Sequence, residues 1–145
     1  MYQGPSTTGG DLRMALDGVD WKMATTEVEG RNTIALLVFH INYYVRAVNK
    51  VLEGGPLDAH DRYSYDMEPV KSEKEWETLK ERAVKDALRY AELVGKMSDE
   101  QLKDLMADEK YGNWFQNLLG MQEHSFYHLG QIMLLKKIIE NQNKS

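Results

Sequence analysis

The chain has no cysteine among its 145 residues, and this absence removes several classes of site at once. Disulfide frameworks, cysteine-ligated zinc, iron–sulfur clusters, c-type haem and thiol nucleophiles all require cysteine. Histidine and carboxylate side chains are therefore the remaining candidate metal ligands. Any sulfur nucleophile used by this protein has to come from a cosubstrate.

Basic residues and long apolar runs are also scarce. The 18 Lys and Arg against 23 Asp and Glu give a net charge of −5, whereas a nucleic-acid surface needs a clustered basic excess. No segment approaches the ~20 apolar residues of a membrane span, and the N-terminus lacks the charged and apolar regions of a secretory signal. We expect no nucleic-acid partner, no membrane partner and a cytoplasmic protein.

The composition is that of a globular domain, because 42% of the residues are apolar and 28% are charged. A chain of this length corresponds to a single domain over residues 1–145. Its first ten residues are rich in Gly, Pro, Ser and Thr, which favour turns and bury little. We therefore predict an extended lead-in over residues 1–10.

The first half of the chain predicts a broken helix and then a long one. Asp11 is a cap for Leu12–Leu16, and Asp20 restarts a short helix at Trp21. Asn32 or Thr33 caps the second long pattern, which ends at Gly54-Gly55-Pro56. Its apolar positions recur at helical spacing: Ile34, Leu37, Val38, Ile41, Val45, Val48 and Leu52.

The second half begins with an irregular crossover over residues 57–71. Ser72 with Glu75 then forms a capping-box pattern that opens a helix to about Met97, and Ser98 with Gln101 opens a short helix, 100–106. A final helix of about 25 residues follows. Its apolar positions are Trp114, Phe115, Leu118, Leu119, Phe126, Leu129, Ile132, Met133, Leu135, Ile138 and Ile139.

No segment shows the alternation of a half-buried strand. Long amphipathic helices joined by short turns and one long connection are typical of helical bundles. The sequence thus predicts an all-α four-helix bundle with a long crossover between helices 2 and 3.

Three of the four histidines fall inside predicted helices. His124 and His128 are one turn apart, so both rings leave the same helix face and can approach to the roughly 3.4 Å that two ligands of one tetrahedral ion require. Such a pair also occurs on solvated faces or as hydrogen-bonded groups at a core edge. Here the histidine pair lies on the same side of the helix as Met121, Gln131 and Leu135. This pattern indicates that the pair faces the interior of the bundle.

His40 supplies the third candidate ligand, because it lies on the apolar side of its helix. Three protein ligands plus an open position are the pattern of catalytic zinc-type sites. His60 lies in the crossover and is expected to be solvated. Gln131, one turn beyond His128, is a candidate to orient a ligand or to bind substrate. Glu123, Asn42, Asn117 and Tyr127 are candidate hydrogen-bond partners for the histidine ring N–H groups.

The spacing of Glu and His residues excludes two well-known classes of metal site. The zinc-protease helix needs a Glu directly after its first His, and here Ser125 follows His124. A di-iron carboxylate bundle needs Glu-x-x-His on two helices, and no Glu lies three residues before any of the four histidines.

The string from His124 to Ile132, His-Ser-Phe-Tyr-His-Leu-Gly-Gln-Ile, together with Phe39-His40-Ile-Asn42-Tyr and the lead-in Tyr2-Gln-Gly-Pro, resembles the DinB/YfiT-like superfamily. The resemblance extends over nearly the whole chain, although the first helix is short and interrupted by glycine. It implies an up-down-down-up bundle with His40, His124 and His128 as ligands of zinc, nickel, iron or manganese. Characterised members include thiol-dependent S-transferases and a maleylpyruvate isomerase, and members often form homodimers.

Two functional hypotheses follow. In the first, the chain is a transferase in which the metal activates a low-molecular-weight thiol, or water, towards a small-molecule substrate. In the second, it is a non-catalytic, stress-related binding or interaction bundle whose histidines hold a structural ion or none. Metal content and thiol-dependent turnover distinguish the two.

Overall fold

The computed structural model describes residues 7–144, with side chains from residue 11 onward. This part of the chain is helical and contains no β-strand, apart from an isolated bridge between Leu105 and Asn113. Short 3-10 turns occur at Asp61–Tyr63 and Glu109–Tyr111. The α-helices are α1 (Thr7–Ala15), α2 (Trp21–Ala24), α3 (Ile34–Leu52), α4 (Glu73–Gly95), α5 (Asp99–Lys103) and α6 (Trp114–Asn143).

The predicted helix starts of α3 and α4 are confirmed. The Thr33 hydroxyl accepts the Leu36 N–H at 3.2 Å, and the Ser72 hydroxyl accepts the Glu75 N–H at 3.1 Å. The reciprocal half of the capping box is absent at α4, because the Glu75 carboxylate accepts the Lys71 N–H instead. Between the two helices the chain follows the irregular crossover that the sequence predicts.

Three helix boundaries differ from expectation. The helix α1 begins at Thr7, so residues 7–10 of the predicted lead-in are helical, and residues 1–6 lie outside the described part. The helix α5 has its full Ser98–Gln101 capping box but ends at Lys103, where the chain turns to pair Leu105 with Asn113. The helix α6 is 30 residues long and starts with a second box between Asn113 and Gln116.

The four longer helices pack in a ring, because α1 and α3 each contact both α4 and α6. The helices α3 and α4 run parallel: Asn49 of α3 bonds Asp86, and Glu53 one turn later pairs with Arg89. A parallel pair of helices needs a long connection, which explains the crossover.

A single hydrophobic cluster fills the interior of the described residues. Trp76 of α4 is fully buried, and its indole N–H donates to the Val19 carbonyl at 2.8 Å, which anchors the turn between α1 and α2. Some predicted apolar positions of α6 lie outside this core: Phe115, Leu119, Phe126 and Met133 are exposed.

The contact between α3 and α4 includes a polar cluster. Asn42 and Asn49 are both buried on α3. The Asn42 amide donates to the Asp86 carboxylate at 2.9 Å, and the Asn49 amide donates to the Asp86 backbone carbonyl at 3.0 Å. One residue of α4 thus receives two buried side chains of α3.

Candidate metal centre

The helix α3 places His40 inside the bundle. Leu37 and Ile41 beside it belong to the core, and His40 itself is only 5% exposed. The same face carries Tyr44, one turn later, whose ring meets the His40 ring edge-on at 5.2 Å. The local helix geometry therefore aims this imidazole at the facing helix α6.

The helix α6 supplies the other two histidines from one face. His128 is buried at 6% exposure between Leu129 and Ile132 of the core, whereas His124 is half-buried. The Nε2 atom of His124 lies 3.1 Å from Nε2 of His40 and 3.1 Å from Nε2 of His128. The ligand nitrogens of all three residues lie within 4.8 Å of one another. The structure brings the three predicted ligands together.

Two of the rings are held by carbonyl oxygens on their outer side. Nδ1 of His40 donates to the Ser64 backbone carbonyl at 3.2 Å, and Nδ1 of His128 donates to Oε1 of Gln131 at 2.6 Å. Because both acceptors are carbonyls, the ring proton sits on Nδ1, and Nε2 points inward with a lone pair.

The three Nε2 atoms consequently carry too few protons for every contact between them to be a hydrogen bond. His124 Nε2 can donate at most one hydrogen bond to its two neighbours, so at least one contact at 3.1 Å joins two lone pairs. A cation at the centre satisfies all three nitrogens together. The separations are close to the roughly 3.4 Å that ligands of one tetrahedral ion adopt.

The surroundings of His40 and His124 favour the neutral form of both imidazoles. Burial, together with the smaller effects of the neighbouring His128 and His40, lowers the pKa of His124 to about 4. Burial is also the largest cause that lowers the pKa of His40, partly offset by the Ser64 carbonyl. Neutral imidazole is the form that binds metal ions.

The crossover between α3 and α4 closes one side of the cluster. Tyr65 stacks on His40, and Ser64 supplies the carbonyl that His40 Nδ1 bonds. The Tyr44 hydroxyl donates to the Asp61 carboxylate, and the Ser64 hydroxyl donates to the Asp61 carbonyl at 2.7 Å. The segment 61–65 is thereby tied to α3 at the level of the histidines.

A cavity of about 450 Å³ opens beside His124 between α3, α6 and the crossover. This volume suits a small molecule. Its polar lining residues include Tyr44, Asp61, Tyr111, Asn117 and His124, and its apolar ones include Val48, Leu57, Met106 and Met121.

The other predicted site residues have different outcomes. His60 is exposed and pairs with Asp58 at 3.2 Å, away from the cluster, as expected. Gln131 faces the site through its bond to His128, and its contact with substrate stays a prediction. Tyr127 packs edge-on against His128, with ring centroids 5.1 Å apart.

Three predicted hydrogen-bond partners of the rings are wrong. The buried amide of Asn42 bonds Asp86 on the opposite side of α3. The Asn117 amide donates to the Tyr111 and Asn113 carbonyls. Glu123 is exposed on α6. The partners that the structure provides include Ser64, which sequence reasoning missed.

Sequence reasoning also missed Tyr44, Asp61 and Tyr65. Tyr44 lies one turn after His40, and this spacing is a signal that could have identified it. Asp61 and Tyr65 lie in the irregular crossover, where no periodicity relates a residue to its neighbours in space.

The chain matches no protein-family model, no curated protein and no solved structure. Among residues 7–144, no helix combines the length and apolar character needed to cross a membrane.

Proposed function

We propose that this chain is a divalent-metal enzyme of the DinB/YfiT-like type, with His40, His124 and His128 as the protein ligands. Its reaction is the transfer of a small thiol, or water, to an electrophilic small molecule. The observation that carries the proposal is the convergence of three imidazole nitrogens whose outer ring atoms are already bonded at two of the three positions.

The three nitrogen donors narrow the range of candidate metals. Three neutral imidazoles suit zinc, nickel or iron, whereas manganese favours oxygen ligands. When bound by three protein ligands, such an ion acts as a Lewis acid and lowers the pKa of a thiol or water in its open position.

The residues around the three histidines orient the rings, cover them and line a cavity for substrate. Ser64 and Gln131 orient two of the imidazoles, and the Tyr65 ring covers His40. The cavity beside His124 can hold a substrate, because its wall combines the Asp61 carboxylate and Tyr44 with apolar side chains. The nucleophilic sulfur has to come from a cosubstrate, since the chain has no cysteine.

Metal content tests the first part of the proposal. Untagged protein purified without added metal is analysed by mass spectrometry, alongside His40→Ala, His124→Ala and His128→Ala. We expect about one ion per chain in the wild type and its loss in all three variants. His60→Ala is the matched control, because His60 is an exposed histidine outside the cluster, and it should keep the ion.

Absence of an ion, even after incubation with zinc, nickel, iron or manganese, would refute the metal site. Turnover then tests the chemistry: the loaded protein is given common cellular thiols and a test electrophile, and thiol consumption is followed. A metal-loaded protein that consumes no thiol and hydrolyses no electrophile supports instead a non-catalytic bundle with a structural ion.

A further inference from the structure

The wall of the cavity beside His124 carries a single formal charge. Asp61 of the crossover contributes a carboxylate, and no lysine or arginine of the described residues lines the cavity. The cavities of about 620, 420 and 360 Å³ elsewhere in the described part of the bundle each have lysine or arginine side chains in their walls. The lack of a basic side chain is therefore a property of this one cavity and not of the whole surface.

The Asp61 carboxylate has no cationic partner among residues 7–144, since none of the ion pairs formed there includes it. Its Oδ1 atom accepts the hydrogen bond of the Tyr44 hydroxyl, which is a neutral donor. An ionised carboxylate can accept several hydrogen bonds on its two oxygens. Asp61 therefore keeps both its charge and its capacity to bind a donor from a ligand.

Tyr44 links this carboxylate to the candidate metal centre. Its ring lies edge-on to the His124 ring, with centroids 5.2 Å apart, and its hydroxyl donates to Asp61. The imidazole and the carboxylate thus lie on either side of one aromatic residue, in the wall of the same cavity. A small molecule that fills the cavity can contact both groups.

The two connections that border the cavity are acidic. Residues 57–71 contain four Asp or Glu against Arg62 and Lys71, and residues 104–113 contain three against Lys110. Each segment therefore has a net charge of −2. Negative charge around the mouth of a cleft raises the local concentration of cations and repels anions.

We infer that the cavity beside His124 binds substrates that carry a protonated amine, with Asp61 as the counter-ion. The ammonium group donates to the carboxylate, and the apolar part of the molecule lies along Val48 and Met121. Charge-assisted hydrogen bonds and the faces of tyrosine rings both favour an ammonium group. The inference rests on the proposed function, because this cavity is a substrate site only if the neighbouring histidines hold a metal.

The same wall disfavours acidic substrates. A carboxylate or phosphate group in the cavity would lie near Asp61 without a lysine or arginine in the wall to pair with it. Burying an unpaired charge costs free energy, and a like charge nearby adds to that cost. Affinity should therefore decrease from cationic through neutral to anionic molecules of the same shape.

Three probes of similar shape test this order: phenethylamine is cationic at neutral pH, phenethyl alcohol is neutral and hydrocinnamate is anionic. Each is titrated into the full chain and followed by NMR, with the protein as purified and again after treatment with a chelator. The amides of Gly120 and Met121 report binding, because both residues line the cavity. We expect phenethylamine to bind about tenfold more tightly than the alcohol in both samples, and hydrocinnamate to bind less tightly than the alcohol.

The substitution Asp61→Asn identifies the counter-ion. Asparagine keeps the shape of the side chain and can still accept the hydrogen bond of the Tyr44 hydroxyl. Affinity for phenethylamine should fall about tenfold, while affinity for the alcohol stays unchanged and shows that the cavity is intact. Asp66→Asn is the matched control, because Asp66 is an exposed carboxylate of the same segment that does not line the cavity. It should bind phenethylamine as the wild type does.

The results separate this inference from the proposed function. Equal affinities for the three probes, tightest binding of hydrocinnamate to chelator-treated protein, or no shift of the cavity amides with phenethylamine would each overturn the inference. An equal loss in Asp66→Asn and Asp61→Asn would overturn the role of Asp61. None of these outcomes requires a bound ion, whereas the proposed function fails on metal content or on turnover. Amine selectivity in a protein that binds no metal would refute only the proposed function.

Discussion

The imidazole of His40 and the ring of Tyr65 lie face to face, with centroids 3.9 Å apart and planes 5° from parallel. The other face of Tyr65 is accessible, since 41% of the residue is exposed. A residue of the irregular crossover thus shields a buried metal-ligand candidate from solvent. The stability of the crossover and the metal affinity of the candidate site should therefore be linked.

Tyr65→Leu should weaken metal binding, and Tyr65→Phe should preserve it. Stacked aromatic pairs contribute about 0.5–1.5 kcal/mol, which corresponds to roughly a twofold to tenfold change in affinity. Competition with a chromophoric chelator measures the difference. Tyr63→Leu is the control, because Tyr63 is similarly exposed but contacts Arg62 and His60. Equal affinities in Tyr65→Leu and wild type would show that stacking is unimportant.

Gln131→Ala should lower metal affinity by about tenfold or more, because hydrogen bonds that orient a ligand histidine contribute in that range. The reason is its 2.6 Å contact with Nδ1 of His128. Gln131→Glu keeps an acceptor at the same place and should bind the metal at least as well as the wild type. If Gln131→Ala bound metal normally but lost turnover, Gln131 would act on substrate instead of positioning His128.

Stability of the metal-free protein should depend on pH through His124. Its pKa falls from 6.5 in the unfolded chain to about 4 in the folded chain, mainly through burial. Between these values the unfolded chain binds a proton that the folded chain does not. The free energy of unfolding should therefore decrease as the pH falls from 6.5 towards 4, and then level off. After discounting for partial exposure, the loss is roughly 1–2 kcal/mol.

Urea denaturation of chelator-treated protein at several pH values measures this slope. His124→Gln should make it less steep, with His40 still contributing because burial lowers its pKa as well. The matched variant His60→Gln should leave it unchanged, since His60 is exposed. A slope that survives His124→Gln unaltered would place the pH dependence elsewhere in the chain.

Trp76→Phe should reduce the free energy of unfolding by about 2 kcal/mol, because it leaves a void and removes the donor of the buried Val19 carbonyl. Trp114→Phe, at a partly buried tryptophan, should have a smaller effect. Equilibrium denaturation compares the two. Equal losses would mean that the hydrogen bond to Val19 adds nothing to stability.

The sequence predicted the parts of the fold that depend on residues close together in the chain, such as helix caps and the spacing of apolar residues. The apolar spacing, a cap at Asn32 or Thr33 and the stop at Gly54 predicted α3 to within two residues at its end, and Ser72 and Ser98 marked the starts of α4 and α5. The three histidines were predictable for the same reason, because helical spacing determines which side chains share a face. Boundaries were less certain where tertiary pairing ends a helix, as at Lys103.

The crossover could not be derived in this way. Ser64 and Tyr65 reach His40 because of the path that the chain takes between two parallel helices, and no local pattern encodes that path. Phe126 shows a second limit: it was expected beside the core but is exposed, since α6 carries more apolar residues than the bundle interior uses. Asn42, two residues from His40, points about 200° away from it around α3.

The buried amides of α3 have a consequence for the distant site. Asp86 accepts hydrogen bonds from the amides of Asn42 and Asn49. These two bonds fix the position of α4 along the axis of α3. A slip by one turn, ~5.4 Å, would leave both amides without acceptors inside the bundle. The crossover ends at the start of α4. The position of α4 along α3 therefore determines the distance that the crossover has to span where it passes His40. Two side chains on the opposite side of α3 thus help to determine how closely the crossover covers the candidate metal site.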